Sequence, residues 1–248
     1  MIWRLIEDGA GSGPWNMGVD EALLRTAEAG TPSLRFYSWS GPWLSLGYGQ
    51  TFEDPMRRAC EEAGAGWVKR TTGGRALLHG GDLTYAIAAP FEALPGTLGE
   101  VYGRIGAALL QALCALGIPA SVAGADAAAP GREVFDCFSQ PAGHEIVLRG
   151  GKLVGSAQRR TRRALLQHGS IRRVADPLRL RRALGLDGPG ATELSAWGEV
   201  GEALLRDELR KAFAAVLGAV FEAGRLEVQE RRWAARRGPV PDPGRSSA

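Results

Sequence analysis

An α/β (α+β) domain with a mixed, largely antiparallel β-sheet flanked by helices is what this sequence of 248 residues predicts. Short runs rich in aromatic and β-branched residues dominate the middle of the chain, and longer runs with apolar residues three or four apart are spaced between them. A hydrophobic content of 45% over this length suffices for one large core, and no internal repeat breaks the chain into units. Residues 1–235 are therefore read as a single domain, and the Gly-, Pro- and Ser-rich stretch 236–248 as a disordered tail.

The elements follow in order. Trp3–Glu7 reads as a short strand, and Pro14–Ala29 as a helix with Trp15, Val19, Leu23 and Leu24 at helical spacing and Gly30 at its end. Ser33–Trp39 alternates and is rich in aromatics, so it reads as a strand; Trp43–Gly47 reads as a second one after the Gly41-Pro42 break. Asp54–Ala63 reads as a helix with Asp54 as N-cap and Pro55 at its first position. Strands are expected at Gly66–Arg70, Ala76–His79 and Leu83–Ala88, the last two around a Gly80-Gly81 turn. Thr97–Leu116 carries the longest helical pattern, with Val101, Ile105, Leu109 and Leu113 four apart, and Ile118–Ala123 returns as a strand. Ala125–Gly131 reads as a loop. Glu145–Leu148 and Lys152–Ser156 read as a hairpin closed by Gly150-Gly151, followed by a strand at Ala164–Ile171. Pro177–Leu184 and Glu202–Ala223 read as helices.

Composition excludes several classes. A net charge of +3 and a charged fraction of 23% do not call for nucleic acid. No apolar run approaches the roughly 18–20 residues of a membrane span, and Arg4, Glu7 and Asp8 interrupt any leader pattern, so a soluble, cytoplasmic protein is expected. Cysteines at 60, 114 and 137 have no metal-ligand spacing and suggest neither a disulfide framework nor a metal site. Of the 30 basic residues only Lys69, Lys152 and Lys211 are lysines. In a chain so biased toward arginine, a lysine fifteen residues after Cys137 is notable, because an ammonium near a thiol favours the nucleophilic thiolate.

Three segments carry candidate chemistry. Arg70-Thr71-Thr72-Gly73-Gly74-Arg75-Ala76-Leu77-Leu78-His79 combines a tight glycine turn, whose N–H groups suit a phosphate or an acyl oxyanion, with flanking Arg70, Arg75 and His79. The plainer reading is a surface turn between strands. Phe135-Asp136-Cys137-Phe138-Ser139-Gln140-Pro141 sets Cys137 among aromatics before a turn, whereas Cys60 and Cys114 fall inside helical patterns and fit buried structural cysteines. Gly151-Lys152-Leu153-Val154-Gly155-Ser156-Ala157 places Lys152 directly after a turn, and its small residues 155–157 suit close approach of a ligand. Leu165–Ile171 holds His168 at the polar end of a strand.

Together with Asn16–Leu24 and Pro32–Gln50, these segments resemble the lipoate–protein ligase A-like superfamily over roughly residues 1 to 185, in the right order. Within it the chain is most similar to the LipM-type octanoyltransferases. The resemblance implies a fold like the biotin/lipoate protein ligase catalytic domain, and transfer of an octanoyl group from octanoyl-acyl carrier protein to a lysine of a lipoyl-domain protein such as glycine-cleavage H protein. It implies Cys137 as nucleophile and Lys152 as the superfamily's active-site lysine. A substrate pocket is expected from Tyr37, Arg70, Gly73, Gly74, Arg75, Leu78, His79, Gly155, Ser156, Ala157 and His168, with Leu77 as a further wall. No cofactor, ATP or metal is expected, nor nucleic acid or membrane as partner. Two departures stand out: Ala142-Gly143-His144-Glu145 replaces the family's Ser-x-Tyr-Glu, and Gly80 follows the motif histidine where an acid is usual.

Three alternatives remain open on sequence: an ATP-dependent lipoate–protein ligase, an amidotransferase between lipoyl domains, and a non-catalytic acyl- or lipoyl-domain-binding protein. A run of nine arginines across 159–182, with Asp176 as its one acid, is read as a docking face for acidic partner proteins.

Overall fold

In the computed structural model, which describes residues 1–123, 145–174, 181 and 192–238, an eight-stranded sheet forms the centre and a three-stranded sheet lies beside it. The chain enters as β1 (Ile2–Gly11) and α1 (Gly13–Glu28), then β2 (Ser33–Trp39), β3 (Trp43–Leu46), α2 (Asp54–Glu62), β4 (Gly66–Lys69), β5 (Leu77–His79) and β6 (Asp82–Pro90). It continues through α3 (Leu98–Ala115), β7 (Ser121–Val122), β8 (Ile146–Leu148), β9 (Gly151–Arg160), β10 (Ala164–Arg172), α4 (Glu202–Leu217), β11 (Val220–Gly224) and α5 (Val228–Ala235).

The large sheet runs in the order β11-β1-β2-β6-β10-β9-β8-β7. Only β1 with β11 and β1 with β2 pair in parallel; the other ladders are antiparallel. β6 and β10 are buried along their whole length, because both faces of the sheet are covered. On one face, Leu34, Phe36, Tyr85 and Ile87 meet the α3 and α4 stripes, including Ile105, Leu109, Leu209 and Phe213. On the other, Tyr37, Ala86, Ala88 and Leu166 meet Val19 and Leu23 of α1. The small sheet, β4-β3-β5, has its own core of Leu44, Leu46, Ala76 and Leu78 against Cys60 of α2.

Several local expectations are corrected. The α2 N-cap is Glu53, so Asp54 lies within the first turn, where its charge still suits the helix dipole. The two strands expected around Gly80-Gly81 are present as β5 and β6, and this turn carries the chain from the small sheet, where β5 pairs with β3, to the large one, where β6 pairs with β2. The β8–β9 turn is Arg149-Gly150, both at positive φ (52° and 80°), with Leu148 facing Gly151; Gly151 begins the strand. The expected helix over 202–223 stops at Leu217, because Gly218 adopts the left-handed conformation (φ 63°) and the chain then runs as β11 along β1. The strand expected over 118–123 shrinks to Ser121–Val122. The loop at 125–131, the helix at 177–184 apart from Arg181, and most of the tail (239–248) lie outside the described residues.

Candidate functional site

Between the two sheets lies a pocket, open to solvent, whose walls come from β2, β3, β5, β6, β9, β10, α1 and the loop after β4. Met17, Tyr37, Trp39, Leu77 and Ala157 supply apolar wall, while Ser45, His79, Thr84, His168 and Ser170 supply polar groups. A mostly apolar wall with a few convergent polar groups is the lining expected of a small-molecule site.

The polar groups are organised by two buried carboxylates. Asp20 on α1 accepts from Tyr37 Oη (2.9 Å), from His168 Nδ1 (2.8 Å) and from Arg35 Nη1 (2.9 Å). Because a carboxylate only accepts, His168 carries its proton on Nδ1, and its Nε2 lies 2.7 Å from Thr72 Oγ1. Burial, and then the Asp20 charge, push the Tyr37 hydroxyl well above its ordinary range, so it stays protonated and donates. Asp82 at the start of β6 forms the second centre: its Oδ2 accepts from His79 Nδ1 (2.8 Å), Ser170 Oγ (2.6 Å) and Thr84 Oγ1 (2.9 Å), and its Oδ1 from the Gly80 N–H (3.0 Å). Burial alone would raise its pKa, but the His79 charge and hydrogen bond, with those from Ser170 and Gly80, bring it down to about 2. His79 Nε2 lies 2.7 Å from Ser45 Oγ, and the ring stacks on Trp39 at 3.8 Å. The acid missing directly after the motif histidine is thus supplied two residues later, by Asp82.

Most of the expected pocket residues meet here. Tyr37, Arg70, Gly74, His79, Gly155, Ser156, Ala157 and His168 all line the cavity. Gly73 and Arg75 belong to the same loop, where Arg70 Nη2 donates to both their carbonyls (3.2 and 2.8 Å), so Arg70 acts on the loop's own backbone. Leu78 points the other way, into the core of the small sheet; strand alternation gives the wall position to Leu77. Lys152 is buried, and Glu145, the last residue of the Ala142–Glu145 departure, is its ion-pair partner. Glu145 lines a smaller pocket on the α3 side of the sheet, which shares Ser156 with the one between the sheets. Cys137 and His144 lie outside the described residues.

Of the other cysteines, Cys60 is buried and its thiol is pushed up to about 11 by burial and then by Glu61, which leaves it protonated and unreactive at neutral pH. Cys114 is exposed, contrary to its expected place in a core: it falls on the outer side of α3. The arginine run is also less continuous than its sequence. Arg159, Arg162 and Arg163 are exposed at the β9–β10 turn, but Arg160 covers Phe91 (4.5 Å to the ring), Arg172 and Arg181 are buried, and Arg173 pairs with Glu202 (2.6 Å). Asp20, Ser45, Thr72, Asp82 and Glu145 were not singled out by sequence. The signal for Asp20 was a polar residue four after Asn16 on an otherwise apolar helix face.

Comparison with known proteins agrees with this architecture. The profile of the lipoyl protein ligase A/B catalytic domain family matches residues 12–189, and the chain belongs to that family. It is an acyltransferase, an octanoyltransferase of lipoate biosynthesis. The octanoyltransferase LipM of Kyrpidia tusciae is 37% identical over 94% of this chain and 93% of its own length. That of Symbiobacterium thermophilum is 36% identical over 93% and 92%. Among solved structures, a lipoate-protein ligase A bound with ATP superposes with a TM-score of 0.78 at 20% identity, over 95% of this chain and 94% of that one. The ligase of a bi-partite system from Thermoplasma acidophilum superposes with a TM-score of 0.75 at 20% identity, over 95% and 91%. These two likenesses concern the fold. No helix among the described residues is long and apolar enough to cross a membrane.

Proposed function

We propose that the protein moves an octanoyl group from octanoyl-acyl carrier protein to a lysine of a lipoyl-domain protein, such as glycine-cleavage H protein, through an acyl-enzyme on Cys137. The Cys137 thiolate attacks the thioester carbonyl and the carrier's thiolate leaves. The acceptor's amine then attacks the enzyme thioester, loses a proton, and forms the amide while the Cys137 thiolate is released. Thioester to amide is downhill, so the reaction needs no ATP, metal or other cofactor, and it belongs in the cytoplasm.

The observation that carries this reading is the cavity between the sheets, apolar along Met17, Trp39 and Leu77 and edged by the Gly74 loop, in a chain whose full-length relatives are octanoyltransferases. Burying about six methylenes there contributes roughly 5 kcal/mol. Backbone N–H groups of Gly73-Gly74 or of Gly155–Ala157 suit the oxyanion, and one such donor is worth about 10²–10³ in rate. Lys152, held by Glu145, is the ammonium we expect to favour the Cys137 thiolate.

The test is incubation with octanoyl carrier protein without ATP, followed by intact-mass measurement. The expected result is an octanoyl adduct on the wild type and none on Cys137→Ser. Acylation of an acceptor domain from free octanoate only when ATP is added would establish a ligase instead. An adduct that forms from an octanoylated lipoyl domain, but not from carrier protein, would assign the donor to that domain.

A further inference from the structure

The loop from Arg70 to Gly74 edges the cavity, and it is fastened from both sides. On the large-sheet side, Thr72 Oγ1 meets His168 Nε2 at 2.7 Å, and His168 Nδ1 meets Asp20 at 2.8 Å. On the small-sheet side, Arg70 Nη1 donates to Ser45 Oγ (2.6 Å), Ser45 Oγ meets His79 Nε2 at 2.7 Å, and His79 Nδ1 meets Asp82 at 2.8 Å. Each chain ends on a buried carboxylate, and each joins segments far apart in sequence, α1 with β10 on one side and β3 with β5 and β6 on the other. Both hydroxyls are fully buried. The loop therefore has no latitude to move without breaking one of two desolvated relays, and broken buried hydrogen bonds are costly.

We infer that Thr72 and Ser45 are positioning residues for acyl transfer, the hydroxyl ends of two Asp–His relays that together fix the Gly73-Gly74 backbone against the acyl carbonyl. Neither hydroxyl attacks substrate; each sets where the loop's N–H groups point. The two histidines then serve as rigid struts, oriented by Asp20 and Asp82, rather than as general bases. This rests on the proposed octanoyl transfer, in which a carbonyl must sit at that loop during attack by Cys137.

The loop's backbone supplies a readout independent of turnover. Tyr48 N donates to Thr72 O at 2.9 Å and Arg70 N to Leu46 O at 2.8 Å, so the exchange rates of these two amides report the loop's attachment. The experiment compares Thr72→Val, which keeps shape and loses the hydroxyl, with Thr72→Ser, which restores it, and with Ser45→Ala. The measurements are single-turnover octanoylation by octanoyl carrier protein, KM for the carrier, melting temperature, and hydrogen exchange at Tyr48 and Arg70. For Thr72→Val the acylation rate is expected to drop roughly tenfold to a hundredfold, as for misplaced reacting groups. KM should stay within about twofold, exchange at Tyr48 should quicken, and Thr72→Ser should recover the rate. If Thr72→Val does not fold, the same pattern in Ser45→Ala, read at the Arg70 amide, decides. Acylation at the wild-type rate, a change confined to KM, or unchanged exchange at both amides overturns the inference. Wild-type protein that takes no octanoyl group refutes the transferase reading instead, and the exchange data still decide whether the relays hold the loop.

Discussion

Asp82 receives three side-chain donors on one oxygen, a concentration that makes it sensitive to acid. Its folded pKa of about 2 lies below the value of about 3.9 for an unfolded chain. A carboxyl depressed in this way contributes stability that is complete above the unfolded value and is lost as the pH falls through the folded one. The contribution is roughly 2–3 kcal/mol, and it should disappear between about pH 4 and pH 2. Urea unfolding at several acid pH values should show this slope in the wild type, and a flatter one in Asp82→Asn. A second residue-scale prediction concerns Gly47. A Cβ there would lie 1.9 Å from Gly74 O, which is backbone and has no rotamer to yield. Gly47→Ala should thus displace the cavity loop and lower octanoyl transfer at least tenfold, given what about 1 Å of misplacement costs, and an activity close to wild type would contradict this role for the close contact. Sequence patterning reached His79, His168 and Lys152 through their motifs. It could not reach Asp20 as the partner of His168, because 148 residues separate them and only the packing of α1 on β10 joins them. It misjudged Leu78 because choosing between two adjacent leucines requires the phase of β5, which three residues do not declare.

At the scale of elements, the helices α3 and α4 pack on each other and on the sheet face opposite the cavity. Phe213 of α4 lies 5.6 Å from the Tyr85 ring and 6.4 Å from that of Phe36, and Tyr85 Oη in turn meets Ser156 Oγ at 2.7 Å. The far core thus supports a residue of the cavity wall. Phe213→Ala should destabilise the fold by about 3–5 kcal/mol, measured by denaturant unfolding, and should loosen Ser156 as Tyr85 settles into the space left. Long amphipathic helices such as α3 were legible because the four-residue spacing of their apolar residues marks them, and the structure adds a Thr97–Glu100 capping box at the start. β11 was not, since it follows α4 after a two-residue gap and is mostly exposed, so nothing alternates along it. α5 was missed because it buries only Glu230 and Ala234 and has no apolar stripe to read; its place is fixed by Arg4, whose guanidinium binds Glu230 at 2.6 Å.

Across the whole molecule, charge and connectivity set how the protein meets its partners and how it assembles. The exposed Arg159, Arg162 and Arg163 stand at the β9–β10 turn, on the strand whose residues 155–157 line the cavity. If they guide acidic carrier or lipoyl domains, kcat/KM should fall steeply with ionic strength while kcat changes little. A salt-indifferent kcat/KM, or an Arg159→Ala/Arg162→Ala/Arg163→Ala variant with the wild-type salt response, would remove that role. The sheet order places the last strand against the first, and α5 presses so closely on α1 that a Cβ on Gly18 would lie 2.7 Å from the Ala234 carbonyl oxygen. During synthesis, then, the opening segment leaves the ribosome long before the strand and helix that cover it. β1 and the outer flank of α1 wait, unpaired on one side, for more than two hundred codons to be read. A nascent chain that has not yet reached Val220 leaves the outer edge of β1 unpaired, and an open sheet edge is where wrong pairings form.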